Sequence, residues 1–275
     1  RLLLASDDAM ADEARGLAEL LDSENLRRRA EEAAIVTEAS AAVDADLDIG
    51  SRSVIVVAGE GWHRGVIGIV ASKLVDVTHK PAIVLSIDGD TAHGSCRSIP
   101  SFNLLAALES CADVMTKFGG HKQAAGLTLD SSRISELRAR VNAYADGQLR
   151  TEDLRPRLSI DGALTFGSIS EQVASDLAAL GPFGIGNPRP VFSASSVEIV
   201  DGPRLLKERH LKMSFRQEGK VIRGIAWRAA DREAFVAANR GAVDVAFSLE
   251  LDSWRGQRYL QLSIADFRAP AGPRE

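Results

Sequence analysis

The sequence of 275 residues predicts a long helix, then a small mixed α/β domain, then a domain built mainly of β-strands. Residues 9–43 contain no proline and are rich in Ala, Leu, Glu and Arg, a composition that favours a helix. Between residues 51 and 150, apolar strand-like runs alternate with segments of helical periodicity, as in α/β domains. From residue 151 onwards, strand candidates outnumber helices and are joined by turns, which indicates a β-rich domain.

The first segment, residues 1–50, is predicted to connect this chain to another domain. Asp7 and Asp8 are suitable helix caps, and a continuous helix of about 34 residues would reach roughly 50 Å. A small domain does not cover that length, which favours a connector. The alternative is two ordinary surface helices with a break near residues 23–25.

The second segment, residues 51–150, is predicted to be a compact α/β domain. Its run Ser53–Ala58 is almost continuously apolar, which is typical of a strand buried on both faces. The predicted strands are 53–58, 82–86, 91–97 and 127–129, and the predicted helices are 65–77, 102–111 and 132–149.

The third segment, residues 151–275, is predicted to be a five-stranded Greek-key barrel of the oligonucleotide-binding (OB) type, because the number and length of its strands fit. A generic β-sandwich is the alternative. The predicted elements are a strand at 158–162, a helix at 169–180, a loop rich in Gly and Pro at 181–190, and strands at 197–200, 210–216, 221–227, 243–251 and 259–266.

Composition excludes several classes of protein. Hydrophobic residues make up 45% of the chain and charged residues 26%, as in soluble globular proteins. No apolar run approaches the roughly 20 residues that span a bilayer, and no basic-then-apolar leader is present, so we expect neither a membrane partner nor secretion. Cys96 and Cys111 lack the spacing of a metal-binding pair and are expected to be reduced thiols of a cytoplasmic protein.

The net charge of −5 hides an asymmetry along the chain. Residues 1–50 hold 5 Lys and Arg against 13 Asp and Glu, whereas residues 51–275 hold 28 against 25. The acidity therefore belongs to the first segment and the remainder is mildly basic, which is compatible with a polyanionic partner.

The most informative stretch is Gly119–Gly126, where two glycines and a histidine take the place of bulky side chains. Glycine permits positive φ and leaves amide N–H groups uncovered, and a helix beginning there would add its positive dipole end. We expect Gly119 and Gly120 to bind a phosphate with Lys117 beside them. His121 could donate to a phosphate or act at a reacting centre. The alternative is an ordinary glycine-rich turn.

Two further motifs of the second segment have the composition of anion sites. His63 and Arg64 lie in a glycine-bearing loop before a predicted helix, where an Arg is unfavourable unless it faces an anion. Arg97 and Ser98 end a predicted strand, and a guanidinium with neighbouring hydroxyls suits phosphate oxygens. The three motifs together predict a cationic site without carboxylates. The alternatives are a tight turn and a surface Arg on an edge strand.

The third segment contains a basic hairpin, residues 204–223, with seven Lys and Arg against two Glu. Such a face, with Phe215 to stack on a base, suits single-stranded nucleic acid, although charge runs are usually solvated faces. Trp227, Trp254 and Tyr259 could also stack on bases, but aromatic residues in strands more often belong to the core. The residues that we expect to contact the strand are Arg204, Lys207, Arg209, His210 and Lys212.

Metal ligands are not expected in this chain. Mg²⁺ and Mn²⁺ need clustered carboxylates and histidines, whereas the five histidines are isolated and the alternating aspartates fall in predicted turns.

These motifs resemble those of the RecJ family of single-strand-specific exonucleases, in the DHH phosphoesterase superfamily, over nearly the whole chain. Residues 63–72 are similar to its pattern H-x-G-V-x-G-I-x-A-S, and residues 118–126 match F-G-G-H-x-x-A-A-G. Residues 182–192 match its signature P-F-G-I-G-N-P-R-P-V-F between a DHH-associated domain and an OB barrel. Residues 94–98 match G-x-G-R-S, except that Cys96 replaces the second glycine.

The resemblance implies a DHH-associated domain at 51–150 and an OB domain at 151–275. It implies that the chain is the C-terminal, substrate-binding portion of a 5′-to-3′ exonuclease of single-stranded DNA in DNA repair and recombination. Mn²⁺ or Mg²⁺ would be held by an N-terminal DHH domain outside this chain, so the chain alone is expected to be inactive. The implied partners are that DHH domain, single-stranded DNA, and a helicase or a single-strand-binding protein.

The resemblance also implies residue roles. His121 would contact the reacting phosphate, and Arg97, Ser98, Gly119 and Gly120 would hold neighbouring phosphates. Two other interpretations stay open at this point. One is a related DHH phosphodiesterase for short oligonucleotides or cyclic dinucleotides. The other is a non-enzymatic nucleic-acid-binding module, as in alanyl-tRNA synthetase.

Overall fold

The computed structural model of the chain describes residues 10–45, 51–254 and 257–270. The chain divides into two compact units, residues 1–156 and residues 157–275. None of the helices in the described ranges combines the length and the apolar character that a bilayer-spanning helix needs.

The first unit opens with α1 (Ala11–Ala45), which runs through residues 23–25 without a break. The alternative of two surface helices is therefore wrong. The other elements of this unit are β1 (Ile55–Glu60), α2 (Ile67–Thr78), β2 (Ala82–Asp88), β3 (Thr91–Arg97), α3 (Leu104–Glu109), β4 (Lys117–Gly120), β5 (Ala124–Asp130) and α4 (Ile134–Asp146).

The sheet of the first unit has the strand order β1-β2-β3-β5-β4, and only β1 and β2 are parallel. One face packs against α3 and α4, and it buries Ala92 and Cys96 of β3. On the other face, α2 and the second half of α1 cover β1 and β2 through residues such as Ile35, Ala39 and Leu74. Residues of β3, β5 and β4 on that second face line an open cleft.

Two local predictions for this unit need correction. No helix begins at the Gly-Gly-His stretch, because Lys117–Gly120 forms the edge strand β4. The helix predicted at 132–149 begins only at Ile134, after a 3₁₀ turn whose cap is Asp130. The Asp130 carboxylate accepts a hydrogen bond from the Ser132 amide at 2.9 Å.

Helix α1 is fixed to the rest of the unit by polar contacts. Glu32, only 8% exposed, accepts from Arg28 at 2.7 Å and pairs with Lys73 of α2 at 2.6 Å. The Trp62 indole donates to Glu38 at 2.8 Å. Because Trp62 directly precedes the loop that carries Arg64, α1 anchors one wall of the cleft.

The second unit is a closed barrel with one short strand and two helices added. Its strands pair in the cycle β7-β8-β9-β11-β10-β7, and β9 and β11 are parallel. The β-sandwich alternative is wrong because β10 also pairs with β7 and closes the sheet on itself. The elements are β6 (Gly162–Ala163), α5 (Glu171–Ala178), β7 (Phe192–Leu206), β8 (His210–Gln217), β9 (Lys220–Ala226), α6 (Glu233–Ala238), β10 (Val243–Trp254) and β11 (Gln257–Arg268).

The barrel interior is filled by aromatic and aliphatic side chains, among them Phe166, Phe215 and Phe247. Strand β7 is much longer than the predicted 197–200, because register shifts near Asp201 let it bend around the barrel. The predicted strand at 158–162 is reduced to β6, and helix α6 was not predicted.

Replacing Glu32 with Gln should lower the free energy of unfolding by about 1–3 kcal/mol, because Arg28 and Lys73 lose a buried anionic acceptor. Lys73, followed by Arg28, holds the pKa of Glu32 below its ordinary value. The contribution is therefore complete above the unfolded-state pKa of about 4.3 and is lost as pH falls through the lower folded value. Urea unfolding followed by circular dichroism at pH 7 and pH 3 measures both effects.

The matched control is Glu24→Gln on the same helix, whose exposed pair with Arg27 should contribute less than about 0.5 kcal/mol. Equal effects of the two substitutions at pH 7 would contradict the anchoring role of Glu32.

Candidate nucleic-acid-binding sites

The cleft of the first unit has a volume of about 520 Å³ and lies beside α2, over β3, β5 and β4. Strand pairing sets its floor in two rows. In one row, Thr128 of β5 pairs with both His93 and Lys117. In the other row, Gly126 pairs with both Ser95 and Gly119. Because side chains alternate along a strand, all of these residues face the same side.

The glycine row leaves the floor of the cleft bare. A Cβ added to Gly119 would have no atom within 4 Å, and one added to Gly126 would come no closer than 3.7 Å to its nearest neighbour. Backbone is therefore accessible where two adjacent strands would otherwise carry side chains. A ligand with a small polar head, such as a phosphate, can approach this backbone closely.

Hydrogen-bond donors border the bare floor. The Lys117 side chain is exposed at one end, and the His93 ring lies 3.3 Å from the Thr128 hydroxyl. Arg64 also lines the cleft but pairs with Asp88 at 3.0 Å. Asp88 itself is not among the residues that line the cleft, whose charged members are Arg64 and Lys117. Arg64 and Asp88 are both largely exposed, so this pair costs little to open when an anion competes.

Arg97 is partly buried and held by its own strand. Its guanidinium donates to the Cys96 carbonyl at 2.9 Å and to the Ser95 hydroxyl at 3.3 Å. A Cβ added to Gly68 of α2 would lie 3.3 Å from this guanidinium and 3.0 Å from the Ser95 hydroxyl. The absence of a side chain at Gly68 thus leaves room for Arg97 against the helix.

His121 lies at the same end of the sheet as Arg97. Its backbone amide donates to the Ala124 carbonyl at 2.8 Å, and Ala124 is the β5 partner of Arg97. The imidazole is exposed. Pairing of β3 with β5 therefore places Arg97 and His121, which are 24 residues apart in sequence, at the same end of the sheet.

The residues predicted for this site that do not line the cleft are His63, Arg97, Ser98, Gly120 and His121. Two of them, Ser98 and His63, form hydrogen bonds within their own turns. Ser98 donates its hydroxyl to the Phe102 carbonyl at 3.0 Å and so closes the turn before α3. His63 is exposed, and its Nδ1 accepts from the Gly65 amide at 3.1 Å. In both cases the side chain serves the local turn. Ser95, three residues before Ser98, is the serine whose side chain lies on the cleft face.

Cys96, the residue that departs from the G-x-G-R-S pattern, does not obstruct the cleft. Its side chain is buried on the opposite face, in the core with α3 and α4. Burial raises the pKa of its thiol to about 12, so it stays protonated. The cysteine that replaces glycine therefore adds its side chain to the core, and the floor of the cleft is unchanged.

His93, Ser95 and Thr128 line the cleft and were missed from the sequence. The alternation of side chains along β3 could have identified His93 and Ser95, because the bounds of this strand, 91–97, were predicted correctly. Counting back from Arg97 in steps of two gives Ser95 and His93. Thr128 required knowledge of the β3–β5 register, which the sequence alone does not supply.

In the barrel, the predicted basic hairpin connects β7 and β8. Lys207 and Glu208 both have positive φ, 50° and 57°, in a tight turn closed by a bond from the Arg209 amide to the Leu206 carbonyl at 3.2 Å. The side chains of Lys207, Arg209 and Lys212 are exposed. This turn therefore presents several cations on the outside of the barrel.

Several basic side chains of the predicted surface already have partners within the second unit. Arg204 pairs with Asp201 at 2.7 Å, and Arg216 pairs with Glu198 at 2.6 Å. Lys220 donates to the Ile169 carbonyl. Phe215 is fully buried in the barrel core and cannot stack on a base, which corrects that prediction.

The aromatic side chain exposed next to the hairpin is instead Trp227, which is 51% exposed. His210 contacts its ring edge-to-face at a centroid distance of 4.9 Å. The His210 Nδ1 accepts from the Arg228 amide at 2.8 Å, so the imidazole supports the indole rather than pointing freely outward. The side chain of Trp254 lies outside the described residues.

No group of three or more His, Cys, Asp or Glu that could hold a metal ion occurs within residues 10–45, 51–254 and 257–270. The residues in the cleft supply hydrogen-bond donors and positive charge, which are suited to holding phosphates.

The two glycines of β4 should respond differently to alanine. Gly120 has φ of 150°, and a Cβ there would lie 2.4 Å from the Ala124 carbonyl, so Gly120→Ala should cost about 1–3 kcal/mol of stability. Gly119→Ala meets open space and should change stability by less than about 0.5 kcal/mol, while weakening phosphate binding. Thermal unfolding and titration with a 5′-phosphorylated oligonucleotide separate the two effects. A Gly119→Ala protein with unaltered binding would argue against a ligand at the floor.

Comparison with known proteins places the two units in a family. Residues 51–147 match the DHHA1 domain model, and residues 160–266 match the RecJ OB domain model. The chain is 35% identical over 269 residues to the single-stranded-DNA-specific exonuclease RecJ of Bacillus subtilis, covering 96% of this chain and 33% of the relative. It is 34% identical over 269 residues to RecJ of Salmonella typhimurium, covering 92% of this chain and 45% of the relative.

The fold comparison agrees. The crystal structure of RecJ from Thermus thermophilus in complex with Mg²⁺ matches 99% of this chain and 40% of that chain, with a TM-score of 0.80 and 31% identity. A structure of the same protein with Mn²⁺ matches equally well, with a TM-score of 0.80. The chain thus spans between a third and a half of the length of its curated relatives and aligns with their C-terminal region. It belongs to the RecJ family and carries the DHHA1 and OB domains of that family.

Proposed function

We propose that this chain is the substrate-binding part of a 5′-to-3′ exonuclease that hydrolyses single-stranded DNA in repair and recombination. The observation that carries the proposal is the cleft of the first unit. Its glycine floor and its donors, Lys117 and Ser95, have the chemistry of a phosphate site, and the Arg97 guanidinium contacts Ser95 beside it. The relatives named above are exonucleases specific for single-stranded DNA.

Each group in the cleft has a distinct proposed task. Lys117 and Arg64 neutralise phosphate charge, and the backbone at Gly119 and Gly120 allows the strand to approach the sheet. Arg97, held by its contacts to Ser95 and Cys96, binds a phosphate without first losing much side-chain freedom. His121 donates to the phosphate that reacts and polarises it. These roles are electrostatic and positional, and none requires a nucleophile from this chain.

The metal ions belong elsewhere in this proposal. Mg²⁺ and Mn²⁺ are present in structures of the Thermus relative. In the described part of this chain, the residue types that bind such ions are not grouped in threes, and the charged side chains that line the cleft, Arg64 and Lys117, are cations that would repel a metal ion. We propose that an N-terminal DHH domain outside this chain holds the metal, and that α1 connects to it.

This assignment predicts that the purified chain hydrolyses no DNA, with or without Mn²⁺, because the proposal assigns the metal-binding groups to the DHH domain. The assay is release of nucleotides from a 5′-labelled single strand, with a commercial single-strand exonuclease as the positive control. Robust Mn²⁺-dependent digestion by the chain would contradict it.

The barrel is proposed to guide the strand through the exposed cations of the β7–β8 hairpin. The barrel therefore favours long strands over dinucleotides, because a dinucleotide is too short to need a surface that guides a strand. A helicase or a single-strand-binding protein is the kind of partner that would expose such strands. DNA processing implies a cytoplasmic location, in accord with the free thiols of Cys96 and Cys111.

Binding of a 20-nucleotide strand by the chain should weaken with salt, and Lys212→Ala should lower the slope of log K against log salt concentration by about 0.7, the value for one phosphate contact on a single strand. Fluorescence anisotropy at several salt concentrations measures the slope. Arg27→Ala, which removes an exposed cation of α1, is the control and should leave the slope unchanged. An unchanged slope for Lys212→Ala would remove the hairpin from the strand-binding surface.

A further inference from the structure

Trp227 lies outside the barrel core, and its environment is that of a ligand-binding residue. It directly follows β9, and half of its surface is exposed although it is a large apolar side chain. Its ring orientation is fixed by the edge contact to His210, which is itself held by the Arg228 amide. An exposed indole on such a rigid support loses little conformational entropy when another ring stacks on it.

Cations surround this indole on the hairpin side. Arg209 directly precedes His210, Arg228 directly follows Trp227, and Lys212 pairs with Ile225, two residues before Trp227. All three side chains are exposed. A strand whose phosphates follow these cations would pass beside the indole.

Trp227 also lines a cleft of about 420 Å³ in the same unit. Trp227 and Ile225 supply apolar surface, while Glu250 and Asp252 supply two carboxylates against one cation, Arg189, whose guanidinium lies over the Phe183 ring. Carboxylates repel a phosphate, but they accept hydrogen bonds from the N–H groups of a nucleobase. The charge distribution therefore separates the two parts of a nucleotide, with the backbone on the hairpin side and the base on the cleft side.

We propose that Trp227 is a nucleobase-stacking site, in which one base of the bound strand lies on the indole and turns its polar edge towards Glu250 and Asp252. This inference rests on the proposed binding of single-stranded DNA and adds a subsite for the base. The hairpin cations then serve the phosphates on either side of that base.

The test compares a 20-nucleotide oligo(dC) with an abasic strand of the same length, at one salt concentration. Base stacking on an aromatic side chain contributes enough that Trp227→Ala should weaken oligo(dC) binding at least about fivefold. The same substitution should change binding of the abasic strand less than about twofold, because no base is present to stack. Trp227→Phe should retain most of the affinity, since phenylalanine keeps an aromatic face.

Val221→Ala is the matched control, because Val221 is a similarly exposed apolar residue of β9 that lies away from the cleft. It should bind both strands as the unaltered chain does. Circular dichroism of Trp227→Ala should match that of the unaltered chain, since the indole is outside the core.

The inference is overturned if Trp227→Ala binds oligo(dC) as tightly as the unaltered chain, or if it weakens both strands equally. In either case the unaltered chain still binds DNA with a salt-dependent affinity, and the proposed function stands. If the unaltered chain binds neither strand, the proposed function and this inference both fail.

Discussion

Antiparallel pairing of β5 with both β3 and β4 sets the position of the residues that form the floor of the cleft in the first unit. Because side chains alternate along each strand, the register that pairs Gly126 with Ser95 and Gly119 also puts Thr128 between His93 and Lys117. A slip of one residue would turn Cys96 and Ala92 into the cleft and Ser95 into the core. The register is secured by burial of the apolar set on the other face.

The same pairing explains how a surface rich in donors stays open. Edge strand β4 carries glycine where a side chain would cover the floor, and α2 carries Gly68 where a side chain would meet Arg97. The second half of α1 then fixes the neighbouring loop through the bond from Trp62 to Glu38. A rigid scaffold thereby holds cations next to accessible backbone, which lowers the entropic cost of binding a phosphate.

Much of this arrangement was predictable from sequence, and the exceptions have physical causes. Apolar periodicity located β1, β2 and β3 closely, and the glycine-rich motif identified the region of the cleft. It did not reveal that Lys117–Gly120 forms a strand, because glycine has low β-propensity and the strand exists through pairing with β5. Ser98 was favoured over Ser95 by its position beside Arg97, although adjacent residues in a strand face opposite sides.

In the barrel, the distribution of charge was predictable, but the pairing of charges was not. Arg204 and Arg216 are neutralised by Asp201 and Glu198, of which Glu198 lies on the neighbouring strand, 18 residues away from its partner. Phe215, which was expected to stack on a base, lies in the core, whereas Trp227, which was more often expected in the core, is exposed. Burial depends on which side of the barrel wall a residue faces. Composition indicates that cations and aromatics are present, and only the closed barrel shows which of them reach solvent.

The central claim is that the floor and rim of the first cleft bind the phosphates of a single strand. It is tested most directly by the amide chemical shifts of the chain during titration with a short 5′-phosphorylated oligonucleotide. If the cleft binds phosphate, we expect saturable shifts at Gly119, Gly126 and Ser95, with little change along α1 around Arg27. Shifts confined to the barrel, with the glycine rows unaffected at saturation, would contradict it.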